Sequence, residues 1–294
     1  MVPLIELAQG LPWLYLSLIF LFSLMVGSFL NVVIHRLPIM MERAWHAEYS
    51  DYFGDGEETP PATGRYNLMV PRSRCPHCDH PIGALENIPL LSWLWLRGRC
   101  RNCHAPISAR YPLVELLTAL LSVSVAAALA PGWGTLAALL LTWTLVALTF
   151  IDLDKMLLPD QLTLPLLWGG LLFNLAGGFV PLADAVIGTM AGYLVLWSLY
   201  WAFKLLTGKE GMGYGDFKLL AALGAWLGWQ ALPIVLLLSS LAGAIIGIGL
   251  ILLRNHHQGK PIPFGPYLAI AGWITLLWGD SITRRSEERR VGKE

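Results

Sequence analysis

Charge is what this sequence has least of. Only 14% of its 294 residues are Asp, Glu, Lys or Arg, and the 20 basic and 20 acidic side chains cancel. Such a balance offers no basic surface for a nucleic acid, so no nucleic-acid partner is expected. Histidine is absent from every apolar stretch: the seven lie in polar segments, none beside a Gly-x-Ser-x-Gly elbow. A Ser-His-Asp hydrolase therefore has no local support. Cysteine is also scarce, with four residues confined to the stretch from Cys75 to Cys103. What remains is apolar: 55% of residues are hydrophobic and the mean hydropathy is +0.57.

A bilayer core takes about 20 apolar residues in a helix. Against that length the runs are Leu11–Ile34, Leu113–Ala130, Trp133–Ile151, Leu157–Leu175, Leu182–Phe203, Phe217–Leu232, Pro233–Leu253 and Phe264–Trp278. The expected architecture is an all-α polytopic membrane protein of about eight transmembrane helices with a cytoplasmic zinc-binding loop domain. The first run has no basic residue before it and no small-x-small site after it, so it is expected to be a retained helix, not a secretory signal. Nine of the 20 basic residues fall between Arg36 and Arg110. By the bias of Lys and Arg toward cytoplasmic loops, that segment is cytoplasmic and the N-terminus outside. Eight spans then send the tail outside, against the basic residues from Arg284 to Lys293. The expected division is residues 1–35, first helix; 36–112, loop; 113–283, a membrane-embedded core of about seven helices; and 284–294, a polar tail.

The first half of the loop, Met41 to Arg65, is polar and rich in glycine and proline, and reads as a poorly ordered insert. The second half carries Cys75-Pro-His-Cys78 and Cys100-Arg-Asn-Cys103. Two Cys-x-x-Cys knuckles at this separation can close a tetrahedral thiolate site around Zn²⁺. Two disulfides or four unconnected thiols are the competing accounts; a reducing cytoplasmic side disfavours the first, and chance rarely sets all four in paired knuckles. With all four positions filled by protein the metal is structural.

Carboxylates at membrane depth cost roughly 2.5–3.5 kcal/mol each on insertion scales and are functional candidates by default. Those singled out beyond Pro112 are Glu115, Asp152, Asp154, Asp160, Asp184, Asp216 and Asp280. Asp216 lies in Gly211-Met-Gly-Tyr-Gly-Asp-Phe-Lys218, a segment whose glycines permit close approach of another chain. The competing account is an aspartate that caps the following helix. Asp152 ends the third run, with Asp154 two residues on and Asp160 placed to cap the next helix. The residues alone leave Asp152 and Asp154 both open. Two carboxylates brought together from separate helices share a proton and can activate water while protonating the far side of an amide. That is aspartic-protease chemistry.

These segments resemble the bacterial type IV prepilin peptidases. The resemblance runs from Gly27 to Asp280 and rests on Gly27-Ser-Phe-Leu-Asn-Val-Val-Ile-His-Arg-Leu-Pro38, the paired knuckles, Glu86-Asn-Ile-Pro89, Arg110-Tyr-Pro-Leu-Val-Glu115, the two aspartate segments and Pro261-Ile-Pro-Phe-Gly-Pro266. It implies a catalytic pair at Asp152 and Asp216, with Gly213, Gly215 and Lys218 in the loop that supports the second. It further implies an enzyme of the bacterial inner membrane that cuts the leader from prepilins and type II secretion pseudopilins on the cytoplasmic face. The enzyme then methylates the new N-terminal residue with S-adenosylmethionine. Methyl transfer is assigned to the zinc-bearing loop, where Gly98 and Arg99 precede Cys100; no glycine-rich nucleotide fold is visible. Ser286–Glu294 match nothing expected of the family. Two other accounts are a peptidase without methyltransferase activity and a zinc-stabilised membrane transporter or scaffold. For a transporter, no internal repeat relates the two halves of the membrane region.

Overall fold

The computed structural model describes residues 2–54, 66–254 and 262–291. Among them there are helices, turns and two isolated β-bridges, Arg74 with Pro81 and Arg99 with Pro106, but no strand. The chain divides into two compact units, Val2–Ser124 and Val125–Glu294.

The first unit begins with α1 (Val2–Gly10) and α2 (Pro12–Phe53). Proline at the start of α2 lacks the amide that a helix N-terminus leaves unpaired anyway. The helix runs on through Pro38 to Gly54, whose φ of 58° closes it with a bond from its amide to the Ser50 carbonyl. The expected insert is therefore helical from Met41 to Phe53, because Met40-Met-Glu-Arg-Ala44 contains no breaker. Residues 55–65 lie outside the described ones, as do Pro261 and the last three residues of the expected tail. After the loop, with its short α3 (Leu91–Trp95), α4 begins (Arg110–Ala128). Gly27 of α2 meets α4 backbone to backbone: a Cβ there would stand 2.7 Å from the Glu115 Cα. The Asn31 amide donates to the Tyr111 carbonyl one turn along.

The second unit holds α5 (Trp133–Lys155), α6 (Asp160–Leu175), α7 (Leu182–Thr207), α8 (Tyr214–Leu227), α9 (Leu232–Arg254) and α10 (Gly265–Val291). Helix α8 is its axis, with Phe217, Leu219, Leu220 and Leu223 fully buried and α6, α7 and α10 packed around it. Small residues set the spacing. A Cβ on Gly188 would reach the Gly224 carbonyl oxygen and one on Gly192 the Leu220 oxygen, so α7 and α8 touch through their backbones. Gly170 makes room for the Trp226 indole, whose Nε1 donates to the Leu166 carbonyl at 2.8 Å. Asn174 fastens the end of α6 to α8 by donating to the Ala225 carbonyl and accepting from the amides of Phe179 and Val180.

Five helices are long and apolar enough to cross a membrane: Pro12–Tyr52, Arg110–Ala128, Trp133–Lys155, Leu182–Thr207 and Trp229–Gly249. The count of eight is not reached by that criterion. Helix α6 has 16 residues and α8 has 14, about 21 Å for the latter, and α10 keeps its apolar run only to Trp278. Helix α8 begins three residues before the expected Phe217 and ends at Gly228, where φ is 78°. Helix α10 continues to Val291, so the expected polar tail is largely helical.

Candidate functional site

Four helix ends of the second unit converge. Asp152, in the last turn of α5, is only 5% exposed. Its Oδ2 accepts a 3.0 Å bond from the backbone amide of Gly265, the first residue of α10. Asp216, in the first turn of α8, is 6% exposed, and the Asp152 carboxyl lies within coulombic range of it. Two buried carboxyls from separate helices, near enough to interact electrostatically, are the starting point for a pair that shares a proton.

The turn after α5 packs the site from beside. Met156 adopts a left-handed backbone (φ 52°) and closes α5 through a bond from its amide to the Asp152 carbonyl. The chain then delivers Leu158 against two glycines: a Cβ on Gly215 would stand 2.8 Å from Leu158 Cβ, and one on Gly265 would stand 3.1 Å from Leu158 Cδ1 and 2.6 Å from Asp152 Oδ2. Both glycines are there because nothing larger fits.

Lys218 donates to both oxygens of Asp160 at 2.7 Å, tying the start of α8 to the start of α6. Asp160 is thus not the expected cap: Pro159 holds the N-cap position and no side chain caps that helix. Nor is Asp216 an N-cap. That position belongs to Gly213, and Asp216 sits three residues in, where its carboxyl reaches back to the Gly213 amide. Gly215 is inside the first helical turn, not in the loop before it. Asp154 is exposed, and Asp184 accepts from Trp229 Nε1 and the Gln230 amide on the other side of α8. Sequence reasoning missed Leu158, the role of Gly265, and Glu210, which accepts a 2.9 Å bond from Lys204. The glycine before Pro266 at a helix start was the one available signal for Gly265.

The four cysteines of the first unit come together. All are free thiols, with their sulfurs within 4.8 Å of one another. The Cys75–Cys103 separation is 3.7 Å and the Cys78–Cys100 separation 3.9 Å. A tetrahedron with metal–sulfur bonds of 2.3 Å has edges of about 3.8 Å, so the set fits Zn²⁺ in size and donor chemistry. The two knuckles are copies of one turn, visible as a repeat not noticed in the sequence: Arg74-Cys-Pro-His-Cys-Asp-His-Pro-Ile82 and Arg99-Cys-Arg-Asn-Cys-His-Ala-Pro-Ile107. In each, the first cysteine amide donates to the carbonyl five residues on, and Asp79 and His104 take the same left-handed conformation. Glu86 joins them, receiving the Gly83 amide at 3.1 Å with His80 of one knuckle and Arg101 of the other beside it. Those three partners hold its carboxyl below the ordinary carboxylate range. Gly98 has φ 67° and lies under Trp93, where a Cβ would stand 2.9 Å from the indole. Arg99 is exposed; its amide donates to the Leu96 carbonyl and its backbone bridges to Pro106.

Residues 21–129 match the model of the bacterial peptidase A24 N-terminal domain, and residues 139–248 match that of the type IV leader peptidase family. A protein of Aeromonas hydrophila named prepilin leader peptidase/N-methyltransferase is 86% identical over 284 residues, 96% of this chain and 97% of its own. The chain belongs to the type IV leader peptidase family. Proteins of the same name from Pseudomonas aeruginosa and Pectobacterium carotovorum subsp. carotovorum are 58% and 54% identical, over 96% and 92% of this chain and 97% and 96% of theirs. No solved structure matches the chain. Both family models span helices described above, and the second covers Asp152, Asp216 and Lys218.

Proposed function

We propose that the chain is a membrane aspartic endopeptidase that removes the leader from type IV prepilins and then N-methylates the residue it exposes. The observation that carries the first step is the burial of Asp152 at the end of α5 and of Asp216 at the start of α8, within electrostatic range of each other. The Gly265 amide orients the Asp152 carboxyl through Oδ2 and leaves it lone pairs for a reacting water. One carboxylate takes a proton from that water as it attacks the scissile carbonyl, while the protonated partner donates its own proton to the carbonyl oxygen; on collapse, the carboxyl that took the water proton passes it to the leaving amine and its partner recovers a proton from the diol hydroxyl. Gly213, Gly215 and Lys218 position Asp216: the first offers its amide, the second admits Leu158, and the third anchors α8 to Asp160.

Zinc at Cys75, Cys78, Cys100 and Cys103 is structural in this reading and holds the two knuckles as one body. S-adenosylmethionine supplies the methyl group. The loop has a shallow, largely exposed surface depression lined by Met69, Arg72, Ser73, Ile82, Gly83, Ala84 and Asn87. Gly98 and Arg99 contribute through the fold of the second knuckle.

Pseudopilins share the leader chemistry and are further substrates in this account. The enzyme sits in the bacterial inner membrane, and the basic loop puts the site on the cytoplasmic face. Incubation of the reconstituted protein with one purified prepilin and S-adenosylmethionine, read by mass spectrometry, tests both steps. Leader loss and a methylated new N-terminus are expected. Cleavage without methylation would restrict the activity to a peptidase, and neither would favour a transporter or scaffold.

A further inference from the structure

The short helix α3 exposes an apolar stripe that the proposed chemistry does not use. Leu91, Leu94 and Trp95 recur at the i, i+3, i+4 spacing of one helix face, and all three are exposed, Trp95 by 81%. Leu85 just before them is exposed as well. The remaining side chains of α3 turn the other way: the Trp93 indole donates to the Ile107 carbonyl and the Ser92 hydroxyl to the Ile88 carbonyl. An aqueous domain rarely leaves such a stripe uncovered.

The depth of this segment says what covers it. The Leu90 amide donates a 2.9 Å bond to Glu115 Oε2, and Glu115 is two residues, about 3 Å, inside the apolar run that begins at Leu113. Helix α2 also places this contact inside its own apolar run. Its Gly27 touches the Glu115 backbone, and Gly27 lies seven residues, about 10 Å, inside the end of the apolar run at Ile34. Side chains on a helix lean toward its N-terminus, which lifts Leu90 from the acyl core to the headgroup boundary. Leu90 holds a left-handed backbone (φ 59°) there, uncommon for a bulky residue. Arg97, Arg99 and Arg101 follow the stripe and are exposed, as expected where anionic headgroups meet the same element.

We propose that residues 84–96 form an interfacial segment that inserts Leu91, Leu94 and Trp95 into the bilayer surface, so that the four-cysteine site is held against the membrane and not suspended in the aqueous phase. This goes beyond the enzymatic reading and needs only that α2 and α4 span the membrane.

The test uses the full chain in vesicles of phosphatidylethanolamine and phosphatidylglycerol. A nitroxide is attached through p-acetylphenylalanine at position 94, and its collision rates with oxygen and with a water-soluble nickel chelate are compared. Position 120, exposed on α4 within the span, is the lipid reference, and position 52, exposed on α2 well beyond Ile34, the aqueous one. Position 94 is expected to favour oxygen as position 120 does. A nickel preference like that of position 52 would overturn the proposal, and so would shielding from both reagents, which would mean a protein cover such as a second copy. Position 91 repeats the measurement should the label at 94 prevent folding. Activity enters none of these readouts, so failure here is distinct from failure of the proposed enzymology.

Discussion

The amide of Gly265 and the carboxyl of Asp152 meet at 3.0 Å across 113 residues of sequence. This contact makes α10 part of the candidate site although it carries no carboxylate of the pair. It also ties the Asp152 carboxyl to the start of α10.

Gly265→Ala would set a methyl group 2.6 Å from Asp152 Oδ2 and 3.1 Å from Leu158 Cδ1. The carboxyl must then move or lose its bond. Because displacement of a reacting group by an ångström can cost roughly 100-fold, prepilin cleavage should fall by about that factor. Protein abundance and methylation of an already cleaved substrate should change little, as single-turnover assays of the two steps can establish.

The bidentate pair between Lys218 and Asp160 is partly solvent-exposed. Exposed ion pairs are worth about 0.2–1 kcal/mol, so Lys218→Met should shift the unfolding midpoint only slightly. If Lys218 positions α8, kcat for cleavage should drop more than that stability change suggests, and the loss should be no greater in the Lys218→Met, Asp160→Asn double variant.

Purified, reduced protein should contain about one zinc per chain by elemental analysis. Serine at Cys75 and Cys103 should abolish metal binding and methylation while leaving cleavage within a few-fold of normal. Equal loss of both activities with a folded loop would break the division of labour proposed for the two units.

Gly98→Ala forces a left-handed alanine, costing about 1–2 kcal/mol, against the Trp93 indole. Methylation should fall in step with zinc retention under a chelator challenge. Arg99→Ala, which leaves the backbone pairing intact, should be far milder.

The knuckles were legible because a metal site made from two short spacings is written locally in the chain. Helix positions were legible for the same reason, since an apolar run is a property of one segment. Which helices share a surface was not. Nothing near Asp160 announces Lys218, and nothing near Asp152 announces Gly265, because those pairs exist only after α6, α8 and α10 pack. Composition misled at Met41–Phe53, where a polar but breaker-free stretch prolongs α2, and at α8, which starts early because glycine at 213 and 215 does not prevent a helix whose far end is fully buried. The choice of Asp152 over Asp154 came from the family resemblance. In the structure, burial of Asp152 and exposure of Asp154 favour the same choice.

Initial rates of prepilin cleavage by Asp152→Asn, Asp216→Asn and Asp154→Asn test the central claim most directly. Asparagine keeps the size and caps a helix about as well as aspartate, yet it cannot share a proton or deprotonate water. Both Asp152→Asn and Asp216→Asn should therefore lose cleavage at normal abundance, each nearly as completely as the double variant, because the pair acts as a unit. Asp154→Asn should retain most of its rate. A rate near the parent's from either Asp152→Asn or Asp216→Asn would contradict the account.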